Sequence, residues 1–185
     1  MKTVFPMPLL HAVSALFAAL LFSGCATTHP SLPPGGAQIA SKAAALQGSL
    51  KGLGKDSDAA EAGRVAETAV TYSLRLAEEY RVSPPARWHN LLIQMGFRDR
   101  GLCFHWAEDL MKRLQALGLR TYELHWGVAH KGSELREHNS VVITALGQPF
   151  EEGLVLDPWR NSGDLYWAMV AKDSYPWKPL PREEW

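Results

Sequence analysis

The apolar residues of this chain change their spacing near Gly118, and this change constrains the fold more than any other feature. Before it, segment 102–117 repeats apolar residues at helical intervals, with Leu110 and Leu117 on one stripe. After it, segment 121–129 alternates apolar and polar residues, as a half-buried strand does. Because helical patterns come first and strand patterns follow, the sequence predicts an α+β fold with helices segregated from an antiparallel sheet.

Other segments extend this pattern in both directions. Further helices are predicted at 37–53, at 58–80, where Asp58 and Glu61 are spaced as a capping box, and at 88–95. Further strands are predicted at 138–146 and 154–157, which would complete a three-stranded meander. We therefore expect one domain over 37–185, with a helical part to residue 97, a core from about 90 to 160 and an irregular tail rich in Trp and Pro over 161–185.

The composition excludes several classes of protein. Of the 185 residues, 46% are hydrophobic and 21% are charged, which argues against a disordered chain, a collagen and a polytopic membrane protein. Lys and Arg together number 19, as do Asp and Glu. Because a nucleic-acid-binding protein usually carries a basic excess, no nucleic-acid partner is expected.

The N-terminal segment has the pattern of an export signal. An apolar run over 9–22 follows Lys2 and is too short to span about 30 Å of hydrocarbon as a helix. The small residues that follow it, ending in Cys25, resemble the lipobox of bacterial lipoproteins. That resemblance implies a signal peptide over 1–24, lipid on Cys25 and a tether over 25–36. With Ala26 next to the cysteine, it also implies the periplasmic face of the outer membrane.

If Cys25 carries lipid, Cys103 is the only thiol of the mature chain. Its place in the first turn of the predicted helix 102–117 favours the thiolate, because free N–H groups and the helix dipole stabilise an anion there. Arg100 is expected to act in the same sense. A nucleophilic cysteine also needs a base and a group that orients the base.

The geometry of a hairpin selects His138 as the base. A hairpin centred on Gly147 and Gln148 would set His138 opposite Asp157, and opposed residues share one face of the sheet. The remaining candidates are predicted to lie elsewhere: His105 as a packing or surface residue, His125 on the outer face of the sheet, and His130 as a solvated side chain at a loop edge.

These features together resemble a known superfamily. The segment 101–107, a long helix, a strand, His138 at the start of the next strand and Asp157 before Pro158 resemble the transglutaminase-like core of the papain-like cysteine enzymes. The resemblance implies that Cys103 is the nucleophile, His138 the base and Asp157 its orienting group. Where the family often has an aromatic residue soon after the histidine, this chain has Asn139 and Ser140.

The oxyanion of such a mechanism needs a side-chain donor besides the backbone N–H of Cys103. Gln94 and Asn90, on the short helix upstream, are the candidates. No cofactor and no metal are expected. A zinc site built from Cys103 and three histidines is disfavoured, because the chain has no close ligand pair.

Three functions stay open at this point. The first is an envelope cysteine hydrolase, either a protease or an amidase, acting on a protein or on peptidoglycan peptides. The second is an acyl transferase of transglutaminase type that cross-links amines to acyl groups. The third is a non-catalytic binding lipoprotein of the same fold. The sequence leaves the oligomeric state and the natural substrate open.

Overall fold

The computed structural model describes residues 35–185, and these form four helices and a five-stranded antiparallel sheet, which confirms the α+β class. The helices are α1 (Gly36–Lys51), α2 (Ala59–Glu79), α3 (Ala86–Gln94) and α4 (Cys103–Gln115). The strands are β1 (Tyr122–Ala129), β2 (His138–Ala145), β3 (Leu154–Asp157), β4 (Tyr166–Met169) and β5 (Lys178–Pro179).

The predicted signal peptide, the lipidation site Cys25 and the tether as far as residue 34 lie outside the described residues. Helix α1 begins at Gly36, so the last residue of the predicted tether is helical. Within residues 35–185, no helix has both the length and the apolar character needed to cross a membrane.

The sheet has the strand order β4-β3-β2-β1-β5. Its centre is the predicted meander of three strands, but the tail is not irregular as predicted, because it adds β4 to one edge and β5 to the other. Strand β5 is only two residues long and contains Pro179, which fits an edge because proline has no N–H for a ladder. A strand of two residues is too short to show an alternation of apolar and polar residues, so the sequence does not predict it.

One face of the sheet packs against the helices. Leu124, Ile143 and Leu156 from the three central strands belong to the main core, and the stripe of α4 enters the same core with Leu110 and Leu114 fully buried. Burial of this many apolar side chains supplies most of the force that fixes α4, and therefore its N-terminus, against the sheet.

A buried carboxylate ties α2 to the start of β1. Asp58 caps α2 by accepting a hydrogen bond from the backbone N–H of Glu61, but Glu61 does not return the bond as the predicted capping box requires. Its carboxylate instead accepts from the backbone N–H groups of Arg120 and Thr121 and from the Thr121 hydroxyl. Burial opposes the charge of Glu61, but these hydrogen bonds outweigh it and lower the pKa of its carboxyl.

The C-terminal segment covers the other face of the sheet. A second cluster there contains Val142 and Val155 from the sheet, Phe150 from a short 3-10 turn and Trp177 from the tail. His138 contacts the ring of Trp177 in the same region. The tail therefore shields from solvent the face on which the predicted base is found.

Candidate active site

Cys103 is the first residue of α4, and the turn that precedes it is fixed by side-chain hydrogen bonds. His105 accepts with Nδ1 from the backbone N–H groups of Gly101 and Leu102, each at 3.2 Å. Burial, and then the charge of Arg100, lower the pKa of His105, which keeps Nδ1 free to accept. The sequence predicts only packing or exposure for His105, whereas the structure gives it the role of a helix cap.

His89 of α3 holds the same turn from the other side. Its Nε2 lies 2.9 Å from the carbonyl oxygen of Arg100, and because a carbonyl only accepts, Nε2 carries the proton. Gly101 has a φ of +121°, and a Cβ atom at this position would lie 2.3 Å from His89 Nε2. The indole of Trp106 donates to the Gly101 carbonyl at 2.8 Å. Three side chains thus position the backbone that carries Cys103.

His138 and Asp157 form a buried hydrogen-bonded pair, with Nε2 and Oδ2 2.6 Å apart. The predicted register is wrong by two residues. In the pairing of β2 with β3, Ser140 and not His138 lies opposite Asp157. The connection contains the 3-10 turn Phe150–Glu152, which moves the centre of the hairpin beyond Gln148. The two residues still share a face and meet diagonally.

The thiol of Cys103 lies beside this pair. Its Sγ is 3.8 Å from the carbonyl oxygen of Glu137 and 4.0 Å from Nδ2 of Asn139, the two residues that flank His138. Both Cys103 and His138 line one cleft of about 590 Å³. Because Nε2 donates its hydrogen bond to Asp157, Nδ1 is the nitrogen left to exchange a proton with the thiol, and within residues 35–185 it has no hydrogen-bond partner.

The surroundings of His138 favour its charged form. Burial lowers the pKa of His138, but the hydrogen bond and charge of Asp157 and the adjacent thiol of Cys103 outweigh it and raise that pKa to about 9. The charged imidazole lines the same cleft as the Cys103 thiol.

Arg160 and Asp173 extend the pair into a network that the sequence does not predict. Arg160 Nε donates to Asp157 Oδ2 at 3.0 Å, and its terminal nitrogens donate to both carboxylate oxygens of Asp173 at 2.9 and 2.8 Å. Both carboxylates are fully buried. One guanidinium therefore faces two carboxylates, and the remaining negative charge favours a proton on His138. The sequence holds Arg160 three residues after Asp157, but nothing in it indicates where the tail places Asp173.

Aromatic rings enclose the imidazole. The ring centroids of Trp159, Tyr175 and Trp177 lie 4.7, 4.7 and 5.2 Å from that of His138. A pair in so apolar a setting interacts more strongly than it would in water, because the surrounding dielectric constant is low. These rings therefore strengthen the contact between His138 and Asp157.

The predicted oxyanion donors both line the cleft. Asn90 accepts a hydrogen bond from the indole of Trp159 at 3.1 Å, and Gln94 is exposed. In the part of the chain that the structure describes, neither forms a hydrogen bond with Cys103.

Arg100 differs from its expected role. Its guanidinium donates to Asp109 at 2.9 Å, lies 3.4 Å from Glu108 and stands over the ring of Tyr80. It is not among the residues that line the cleft. Because two carboxylates compensate its charge, Arg100 stabilises the N-terminal half of α4 rather than the thiolate.

The two other histidines are separated by the fold. His125 bonds to the hydroxyl of Thr144 at 3.0 Å and packs edge-on against Phe150, away from the helices as its position in the strand predicts. His130 follows the end of β1, is half-buried and lines the cleft. Residues 35–185 contain no group of three or more His, Cys, Asp or Glu side chains arranged to hold a metal ion.

A comparison of the chain with protein-family models, with curated proteins and with solved structures finds no match. The functional conclusion therefore depends on the geometry of Cys103, His138 and Asp157.

Proposed function

We propose that this chain is a lipid-anchored cysteine hydrolase of the bacterial cell envelope, a protease or amidase that works through a thioester on Cys103. The observation that carries the proposal is the placement of the Cys103 thiol against Glu137 and Asn139, the residues that flank His138, together with the 2.6 Å bond from that imidazole to the Asp157 carboxylate. The resemblance to the transglutaminase-like core assigns the same three roles. The lipid anchor is inferred from the pattern around Cys25.

The chemistry follows from the protons that these atoms hold. The Cys103 thiolate attacks the carbonyl carbon of an amide, a C–S bond forms and the C=O electron pair moves onto oxygen. As the tetrahedral intermediate collapses, His138 gives its Nδ1 proton to the leaving amine and the C–N bond breaks. Water then attacks the thioester, and His138 takes a proton from that water. The C–S bond breaks, which releases the acid and returns Cys103 as a thiolate beside protonated His138.

The network behind His138 prepares it for both proton transfers. Asp157 fixes the ring and keeps the proton on Nε2, so Nδ1 alone exchanges protons with the thiol, the leaving group and water. Arg160 holds the Asp157 carboxylate in place with its side chain and with its backbone N–H, which donates to Oδ1 at 3.1 Å. The pair therefore requires little reorganisation during the reaction.

The cleft supports a peptide as the substrate. It is lined by α3, by the start of α4 and by the loop 130–137, and it has room for several residues of an extended chain. Charged side chains line it in both signs, including Arg87, Glu134 and Arg136. Such a lining fits a polar peptide, whether part of a protein or of peptidoglycan.

Alkylation of the full-length chain tests the proposal. Iodoacetamide at pH 6 should label Cys103 stoichiometrically, as measured by the mass of its peptide, which separates it from Cys25. His138→Ala should abolish labelling at this pH, because the imidazolium that stabilises the thiolate is gone. The matched variant His130→Ala, which alters another imidazole of the same cleft, should keep it. Folded protein that resists iodoacetamide even at pH 7.5 would contradict the proposal and favour a binding protein.

A second measurement separates hydrolysis from transfer. The chain should release an acid from an activated ester such as p-nitrophenyl acetate, and Cys103→Ser should lose this activity. Incubation with a glutamine-containing peptide and a primary amine should give no amine incorporation. Release of ammonia with amine incorporation would instead identify an acyl transferase.

A further inference from the structure

The side-chain amide of Asn139 is buried beside the thiol, and its orientation is fixed by its neighbours. Trp126 Nε1 donates to Asn139 Oδ1 at 2.7 Å, and an indole nitrogen can only donate. The oxygen of the amide must therefore face Trp126, and the NH₂ group must face the other way. Asn139 is only 8% exposed, so water does not compete for this arrangement.

One N–H of the NH₂ group has a hydrogen-bond acceptor, and the other has only a weak one. Nδ2 lies 3.3 Å from Glu137 Oε1, which accounts for one N–H, and 4.0 Å from Cys103 Sγ, which is the limit of a hydrogen bond to sulfur. Glu137 is itself held, because its other carboxylate oxygen accepts from the backbone N–H of Gly132 at 2.7 Å. A buried donor directed at the nucleophile with no strong acceptor of its own is available to a group that forms there.

We infer that Asn139 donates a hydrogen bond to the oxyanion formed when Cys103 attacks a carbonyl, together with the backbone N–H of Cys103. The inference rests on the proposed function. The oxyanion is attached to the carbon that bonds to Sγ, so a nitrogen 4.0 Å from Sγ is within reach of the usual donor distance of about 2.7–3.1 Å from such an oxygen. Within residues 35–185 the backbone N–H of Cys103 makes no hydrogen bond and can form the second one, because the first N–H groups of a helix have no intrahelical acceptor.

This assignment replaces the donors predicted from the sequence. Asn90 is engaged by Trp159 and Gln94 is exposed to solvent, whereas Asn139 is buried and oriented before the substrate binds. A preoriented donor stabilises the transition state without reorganisation. The position directly after His138 thereby acquires a chemical role.

The two reactions of Cys103 provide the test, because only one of them forms an oxyanion. Alkylation by iodoacetamide displaces iodide from a saturated carbon, whereas hydrolysis of p-nitrophenyl acetate adds the thiolate to a carbonyl. Asn139→Ala in the full-length chain should lower kcat for the ester by about 10²–10³-fold. Its rate of alkylation should stay within a factor of about 3 of wild type, since Cys103, His138 and Asp157 are intact.

A second variant guards against misfolding. Trp126→Phe leaves Asn139 in place but removes the donor that orients its amide, so it should lower ester hydrolysis by a smaller factor and leave alkylation unchanged. Gln115→Ala, at the far end of α4, changes an amide remote from the cleft and should alter neither rate.

The outcomes distinguish this inference from the proposed function. Normal ester hydrolysis in folded Asn139→Ala, or a large loss in Gln94→Ala in its place, would overturn the assignment of Asn139 alone. A wild-type chain that neither reacts with iodoacetamide nor hydrolyses the ester would overturn the proposed function itself.

Discussion

Asp157 bonds to His138 across a diagonal of the β2–β3 ladder rather than straight across it. The residue opposite Asp157 is Ser140, whose hydroxyl donates to the carbonyl oxygen of Leu156 at 2.6 Å. The diagonal places the Asp157 carboxylate between two donors, His138 Nε2 at 2.6 Å and Arg160 Nε at 3.0 Å. Asp157 therefore accepts from both side chains through one oxygen, and its charge is shared between them.

Removing the charge of Asp157 should lower the rate of ester hydrolysis while the protein stays folded. Asp157→Asn keeps the volume of the side chain but cannot stabilise an imidazolium, and kcat for p-nitrophenyl acetate should fall on the order of 10³-fold. Labelling of Cys103 by iodoacetamide at pH 6 should slow as well, because His138 loses the charge that keeps it protonated. Thermal unfolding monitored by circular dichroism would verify the fold. An Asp157→Asn protein with wild-type labelling at pH 6 would refute the role given to this carboxylate.

The charge on His138 also makes stability depend on pH. Its pKa is raised from 6.5 to about 9 in the folded protein, so the contribution to stability is complete below about pH 6.5 and is lost as the pH rises through 9. The free energy of unfolding should fall across this window by up to about 3 kcal/mol more in wild type than in His138→Gln, whose amide does not titrate. Urea titrations at pH 6, 7.5 and 9 measure it. Equal slopes for the two proteins would show that His138 does not gain a proton on folding.

Strong local patterns identify the parts of the site that depend on short-range structure. The stripe of α4 predicts where that helix begins, and so where Cys103 lies, because amphipathic spacing and the buried face coincide. The start of β2 at His138 follows from its run of apolar residues for the same reason. The face shared by His138 and Asp157 survives the error in register, since a shift of two residues preserves parity.

The rest of the site depends on contacts that no periodicity encodes. Asp173 reaches Arg160 only because β4 turns the tail back over the sheet, and β4 has no alternating pattern. The roles of His89 and His105 depend on a turn whose shape is set by one glycine with positive φ. Asn139 cannot be oriented without knowing that Trp126 is its neighbour across β1 and β2.

The buried ion pair in the tail should contribute measurably to stability. Asp173→Asn removes a charge that accepts two hydrogen bonds from Arg160 and one from Trp177, and the free energy of unfolding should fall by about 2 kcal/mol. Urea denaturation measures the loss. Glu184→Ala breaks the exposed pair with Lys131 and is the matched control, with an expected change of no more than about 1 kcal/mol. Similar losses of unfolding free energy in both variants would mean that the buried pair of Arg160 and Asp173 stabilises the fold no more than the exposed pair does.

The turn before Cys103 gives a test of how precisely the nucleophile is placed. Gly101 and Gly96 both have positive φ, at +121° and +77°, but only Gly101 is blocked, since an added Cβ would lie 2.3 Å from His89 Nε2. Gly96→Ala should therefore cost about 1 kcal/mol of stability from backbone strain alone and leave ester hydrolysis unchanged. Gly101→Ala carries more backbone strain, because a φ of +121° lies outside the left-handed helical region, and it must also displace His89 or the turn, which moves Cys103 relative to His138. We expect kcat for p-nitrophenyl acetate to fall about 10²-fold in this variant. If the two alanine variants hydrolyse the ester equally well, the contact between His89 and the turn does not position the thiol.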